Sequence, residues 1–315
     1  MYAPELDAII DQAYERLYSQ ARGAGAFLGD QIVQWIQDVY PVDRPQDALK
    51  SPRSYPMILL PWYAERSLHP EMDLDFQSDL VYSTVSGYYY IRLMDNVMDR
   101  HGEEALSLLP ALSFFHTQFH YPYQRYFKHD HPFWGYFSRT WLRSAEVTMR
   151  DAQQAEIDRA TFVQVSAQKS CAAKIPLAAV FYRYEKAHRI ESWSRFVDQF
   201  GCWHQMWNDI FSWIKDTRCE TQTYFLSEAN RRKRDAEPII DWVIREGFDW
   251  GMGLLDEWME EMYSTAVVLE SPQLLDYLDQ RKRLLSEQKS QSIQSLDQIE
   301  KLLFGIKRAL ESQES

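Results

Sequence analysis

Helical periodicity predicts an all-α fold, a single helical domain over 1–315. Three observations carry the prediction. Apolar residues recur at helical spacing along nearly the whole chain, whereas alternating β-branched runs and Asn-Gly or Asp-Gly hairpin turns are scarce. There are only eleven Gly and thirteen Pro, and the prolines gather in 41–70, 110–134 and near 176, which leaves long stretches free of helix breakers. Finally, 45% hydrophobic and 15% aromatic residues in a chain of 315 supply a large core and enough rings to line a cavity within it.

Taken in order, the pattern places helices over 5–21 and 27–39, then an irregular, Pro-rich link over 40–54. Helices follow over 55–66, 76–99, 103–119 and 131–152, and a longer one over 156–186 is interrupted near Pro176. Further helices cover 190–218, 221–233, 236–264 and 272–312. Pro176 lies in an apolar run, where it removes one backbone hydrogen bond, so the helix is expected to kink near 172–176. A break there can turn backbone carbonyls and amides toward a cavity. The segment 280–315 opens with Arg281, Lys282 and Arg283 and continues with many Glu, Gln and Ser, which reads as a charged surface helix with a frayed tail.

Composition also excludes some function classes. A net charge of −12 argues against nucleic acid as the main partner, because phosphate contacts need clustered Lys and Arg. No apolar run approaches the ~20 residues that span a bilayer, and no basic-then-apolar leader opens the chain, so a cytoplasmic protein is expected. Cys171, Cys202 and Cys219 show neither an even count nor a C-x-x-C spacing and read as reduced and structural. His116 and His120 are four apart without an intervening metalloprotease pattern, and neither a nucleophile elbow nor a Gly-rich phosphate loop is present.

Two polar clusters remain for chemistry. Asp95 and Asp99 stand four apart at the end of the helix that carries Tyr88, so both fall on one face. Two like charges so close repel, and a hard divalent cation would relieve that repulsion. Asn208, Ser212 and Asp216 share one face over two turns and offer an amide oxygen, a hydroxyl and a carboxylate, a donor set suited to Mg²⁺. An ordinary solvated face would favour Lys, Glu and Gln, which are better helix formers than Asn, Ser and Asp.

These residues resemble the class I terpene synthase and trans-isoprenyl diphosphate synthase superfamily. Asp95, Asn96 and Asp99 are similar to its D-D-x-x-D motif, with Asn96 at the second Asp. Gln205, Asn208, Asp209, Ser212 and Asp216 are similar to the N-D-x-x-S-x-x-x-E metal motif of terpene synthases, with Asp216 for Glu. Lys169 and Ser170 are similar to a Lys-Thr pair that binds diphosphate. In chain-elongating members a basic pair precedes the first metal motif by about forty residues; Pro52 and Tyr55 stand there instead, next to a retained Pro56.

The resemblance implies a single-domain helical bundle of the class I terpenoid synthase type with a central active-site cavity. It implies three Mg²⁺ ions, held by Asp95, Asp99, Asn208, Ser212 and Asp216, that neutralise the leaving diphosphate of an allylic prenyl diphosphate of C10–C20 length. Lys169, Arg92, Arg100 and Arg218 are the expected diphosphate donors. Tyr88, Ile91, Phe162, Val165 and Gln205 are expected to line the pocket, where an aromatic face attracts the carbocation and a water-poor wall protects it. The expected activity is that of a terpene synthase, a lyase yielding a hydrocarbon or alcohol. Two alternatives stay open: a prenyltransferase that joins the prenyl group to a second substrate, and a non-catalytic helical binding protein with a degenerate site. No membrane-integral segment is expected, and a homodimer is left open.

Overall fold

The computed structural model describes residues 2–40, 42–98, 106–151 and 156–311. Among them there are helices, turns and no strand. In chain order the helices are α1 Pro4–Gly23, α2 Ala26–Val39, α3 Pro45–Leu49, α4 Leu59–Arg66, α5 Leu74–Met98, α6 Ala111–His120 and α7 Pro132–Asp151. They continue with α8 Arg159–Lys169, α9 Lys174–Arg183, α10 Ile190–Arg218, α11 Tyr224–Arg232, α12 Ile239–Trp242, α13 Phe248–Val268 and α14 Pro272–Glu311. Pro4, Pro45, Pro132 and Pro272 each open a helix, where the missing N–H is not needed and the fixed φ suits the first turn. Asp158 and Thr223 cap α8 and α11 by accepting from the amides of Thr161 and Leu226.

Two long helices organise the packing. α5 packs against α1 and α6, and α1 against α2. α10 packs against α8, α11 and α13, and α13 against α14. Between these groups runs α9, which touches α4, α5, α7 and α10. Its residues Ile175 to Phe181 are all buried, as expected of a helix that is apolar all round and surrounded by others. Trp193, Trp203 and Trp242 are fully enclosed. Burying a large apolar side chain stabilises by roughly 1.5–3 kcal/mol, so rings of this size dominate the core.

Several predicted elements are corrected. The link 40–54 contains the short helix α3, started by Pro45. The helix expected from 55 starts at Leu59, after Pro56 and a turn. The helix expected over 103–119 is α6 from Ala111, preceded by a turn at 108–110, and its first predicted residues lie outside those described. The segment 156–186 divides at 170–173, where a 3-10 turn over Cys171–Ala173 separates α8 from α9. Pro176 thus falls in the first turn of α9, a position that needs no amide donor. The helix expected over 236–264 divides into α12 and α13 around a π turn at Val243–Gly247. A Cβ on Gly247 would lie 2.4 Å from the Trp242 ring, so the glycine lets that ring fold over the wide turn.

The largest correction concerns Arg281. It is 1% exposed, on the stripe of α14 that also buries Leu274, Leu278 and Leu285, whereas its neighbours Lys282 and Arg283 lie on the exposed face of the same helix. All three cysteines are free, with Cys171 and Cys202 buried and Cys219 exposed. Among the described residues no helix is long and apolar enough to cross a membrane.

Candidate functional site: a cavity between α5, α9 and α10

A cavity of about 340 Å³ opens where α5, the α8–α9 break and α10 converge. From α5 it receives Thr84, Gly87, Tyr88 and Ile91. From the break come Lys169, Ser170, Ala172, Ala173 and Pro176, and from α10 comes His204. The helix interruption, at 170–173 rather than at Pro176, faces the cavity. Tyr40, Tyr55, Phe119 and Trp141 complete an aromatic wall.

Two glycines set the close approaches. A Cβ on Gly87 would stand 2.9 Å from the Phe119 ring, so the glycine lets α6 press against α5 at the wall. A Cβ on Gly201 would stand 2.6 Å from Ser170 Oγ and 3.0 Å from the Ser166 carbonyl oxygen. Only glycine on α10 lets the end of α8, with Lys169, come this near.

On both long helices the polar residues lie one turn past the cavity wall. Asp95 follows Ile91 on α5, half-buried, in a side cavity of about 140 Å³ that shares Ile91 and Trp141 with the main one. Asn208 follows His204 on α10 and is exposed; Ser212 and Asp216 are half-buried. Ser212 Oγ donates to Asp216 Oδ2 at 2.5 Å, so the predicted face brings these two oxygens together. Asp209 points the other way. It is 2% exposed and accepts from Gln205 Nε2 at 2.8 Å. Burial pushes its carboxyl up to about 7, against the pull of the Gln205 bond; Asp216 adds to the rise, and the Tyr224 amide and Lys169 oppose it. Lys169, on the cavity wall, thus acts on the buried Asp209 carboxyl of α10.

Other expected site residues fall elsewhere. Phe162 is not a wall residue: it is buried, its ring 4.8 Å from Tyr224 and parallel to Trp258 at 5.8 Å. Gln205 serves Asp209, and Val165 is half-buried on α8, with neither on the cavity wall. Arg92 is exposed on α5, and Arg218 is exposed as the last residue of α10. Asp99 and Arg100 lie outside the described residues. Tyr88, the aromatic expected to matter most, is on the wall with its hydroxyl bonded to that of Tyr40, and burial together with Tyr40 pushes its phenol well above the ordinary range.

The reading of isolated motifs missed Tyr40, Tyr55, Trp141 and Arg281. For Arg281 a signal existed, since a cation on the apolar 274–278–281–285 stripe of a helix has to be buried. Nothing local marks the other three, whose positions depend on how distant segments pack. No protein-family model matches this chain, and no characterised protein matches it at a significant level.

Proposed function

We propose that this protein is a Mg²⁺-dependent terpene synthase that ionises an allylic prenyl diphosphate of C10–C20 length and converts the cation to a hydrocarbon or alcohol. One observation carries the reading: an aromatic-walled cavity has oxygen donors one turn past its wall on two different helices, and Lys169 on the wall between them. The volume, about 340 Å³, is at the lower end of small-molecule pockets, which run from about 300 to 1,000 Å³, and suits a shorter prenyl chain.

The donor set fits a hard cation. Asn208, Ser212 and Asp216 supply only oxygen, and the Ser212–Asp216 contact places two of those oxygens together. Mg²⁺ would be held by these residues and by Asp95, with Asp99 as the further expected ligand, and when bound it supplies Lewis-acid neutralisation of the leaving diphosphate. The chain's own residues do the rest. Lys169 offers N–H donors to diphosphate oxygens at the wall. Tyr88, Phe119 and Trp141 present ring surface to a cation and keep water from it. Buried Asp209 accepts from Gln205, one turn earlier on the same helix, and from the Tyr224 amide of α11, which holds α10 against α11.

Transfer of the prenyl group to a second substrate is supported by the side cavity beside Asp95, lined by Tyr90, Met94 and Met98, which gives an acceptor somewhere to sit. Purified protein with Mg²⁺ and C10, C15 or C20 diphosphate separates the readings. Hydrocarbon or alcohol from one substrate alone supports the lyase. Product only in the presence of isopentenyl diphosphate or indole supports transfer. No diphosphate release from any of them overturns both and leaves a binding protein.

A further inference from the structure

Arg281 is buried with no carboxylate paired to it among the described residues. Its Nη1 donates to the main-chain oxygens of Pro52 and Ser54, and its Nη2 lies 3.2 Å from His204 Nδ1. The rings of Phe200, Trp203, Trp207 and Tyr277 surround it at 5.1–5.9 Å. A guanidinium has five N–H donors and no acceptor, so Nδ1 has to be the acceptor of this bond. In a neutral imidazole the proton is then on Nε2.

The ring is held on its other sides as well. Phe200 lies nearly parallel to it at 5.9 Å, and Tyr55 meets it edge-on at 5.7 Å. What stays open is the edge facing the cavity, where His204 forms part of the wall. Nε2 has no partner among the described residues, and it is not among the buried polar atoms that lack one, so it is reachable from the cavity. The neutral wall hydroxyls are otherwise engaged. Ser54, Tyr55, Thr84 and Ser170 each donate to a main-chain carbonyl, and Tyr40 and Tyr88 bond each other.

We propose that His204 Nε2–H is a specificity-determining donor to a neutral oxygen carried by the ligand, a hydroxyl or carbonyl, with Arg281 as the residue that positions it. A purely apolar ligand against this wall would bury the N–H without a partner. The Arg281 charge behind the ring strengthens the donor toward an oxygen lone pair. The inference deepens the function proposed above, on which it relies for the prenyl character of the ligand, and within that function it favours an oxygenated product or acceptor over a hydrocarbon.

The test needs neither metal nor turnover. Affinities of geraniol and farnesol are compared with those of myrcene and farnesene, the hydrocarbons of the same lengths, by quenching of tryptophan fluorescence in wild-type protein and variants. The ratio of alcohol to hydrocarbon affinity cancels the ligand's apolar contribution. His204→Phe is expected to lower that ratio about five- to tenfold, the worth of one hydrogen bond. His204→Gln, whose amide nitrogen can reach the Nε2 position, is expected to keep it. Arg281→Met is expected to lower it part way and to mix the two His204 tautomers, read by nitrogen NMR of the imidazole. An unchanged ratio in a folded His204→Phe protein, Nδ1 protonation in the wild type, or no binding of either probe overturns the proposal. Alcohol binding without diphosphate turnover would leave this inference standing and remove the enzymatic one; turnover with an unchanged ratio would do the reverse.

Discussion

The inner wall and the rim of the cavity handle charge in opposite ways. At the wall, Arg281 is enclosed by aromatic faces and main-chain oxygens and holds His204 in a single orientation. At the rim, Asn208 stays exposed and Asp95, Ser212 and Asp216 stay half-buried, one turn further along the same helices. Elsewhere α5 shows what a purely structural carboxylate looks like: Asp79 is buried and bonded by Arg16 at 2.6 Å, Arg125 at 3.1 Å and Tyr126 at 2.8 Å. The rim oxygens are less buried than the Asp79 carboxylate, so a cation reaches them at a lower desolvation cost. The contrast separates groups enclosed by the fold from groups that solvent and ions can reach.

The sharpest way to break this contrast is to truncate both sides. Asn208→Ala or Asp95→Ala is expected to lower turnover of the accepted prenyl diphosphate at least ~10³-fold, about 4 kcal/mol of transition-state stabilisation, while for the exposed Asn208 unfolding in urea shifts by less than about 0.5 kcal/mol, as for other surface positions. Arg281→Ala is expected to act on the fold instead. It opens a cavity among four aromatic rings and orphans the Pro52 and Ser54 carbonyls, a loss of roughly 3 kcal/mol in the same urea experiment. If the rim variant unfolds easily, or the Arg281 variant keeps full stability, the division between wall and rim is wrong.

Acid titration sharpens the wall side. Burial, with Arg281 adding to it, holds the His204 imidazole down to about 3. An unfolded chain takes up that proton near 6.5, the folded one only near 3, so the unfolded state binds more protons between these values and stability falls as pH falls. From pH 7 to pH 5 the His204 contribution is a loss of about 2 kcal/mol at most, since the residue is only half-buried. His204→Gln removes it. The stability difference between wild type and this variant, measured by urea unfolding at both pH values, is expected to shift toward the variant at pH 5; a constant difference would mean that the imidazole titrates normally.

The helical class and the long helix α10 were legible because both depend on local periodicity, and α10 runs from Ile190 to Arg218 as its pattern predicts. Of the residues expected on the wall, Tyr88 and Ile91 reach it from α5, where they share the face of Asp95 within two turns, whereas on α10 the wall residue is His204 and not its neighbour Gln205. The face arithmetic failed on α8, where Phe162 faces Trp258 and Tyr224 because α8 ends at the 3-10 turn and only its last residue, Lys169, reaches the cavity. Arg281 was read by its charged neighbours Lys282 and Arg283 rather than by the apolar stripe it occupies. Tyr40, Tyr55 and Trp141 come from three separate segments, and no local pattern announces that they meet.

The smallest effect is expected where the end of α8 packs on α10, at Gly201. Replacement by Ala gains helix propensity of about 1 kcal/mol. The added Cβ meets Ser170 Oγ at 2.6 Å and the Ser166 carbonyl oxygen at 3.0 Å, and overpacking of this kind costs about 1–3 kcal/mol. The Oγ can rotate away, but the carbonyl belongs to α8 and can yield only by moving the end of that helix. The two contributions nearly cancel, so Gly201→Ala is expected to lose no more than about 1–2 kcal/mol of stability. Its consequence lies in position, because the end of α8 carries Lys169. Affinity for inorganic diphosphate with Mg²⁺, measured by calorimetry, is expected to fall several-fold, and part of it to return in Gly201→Ala with Ser170→Ala, which removes the closer clash. Unchanged diphosphate affinity in the single variant would show that Lys169 does not depend on the tight packing of α8 against α10.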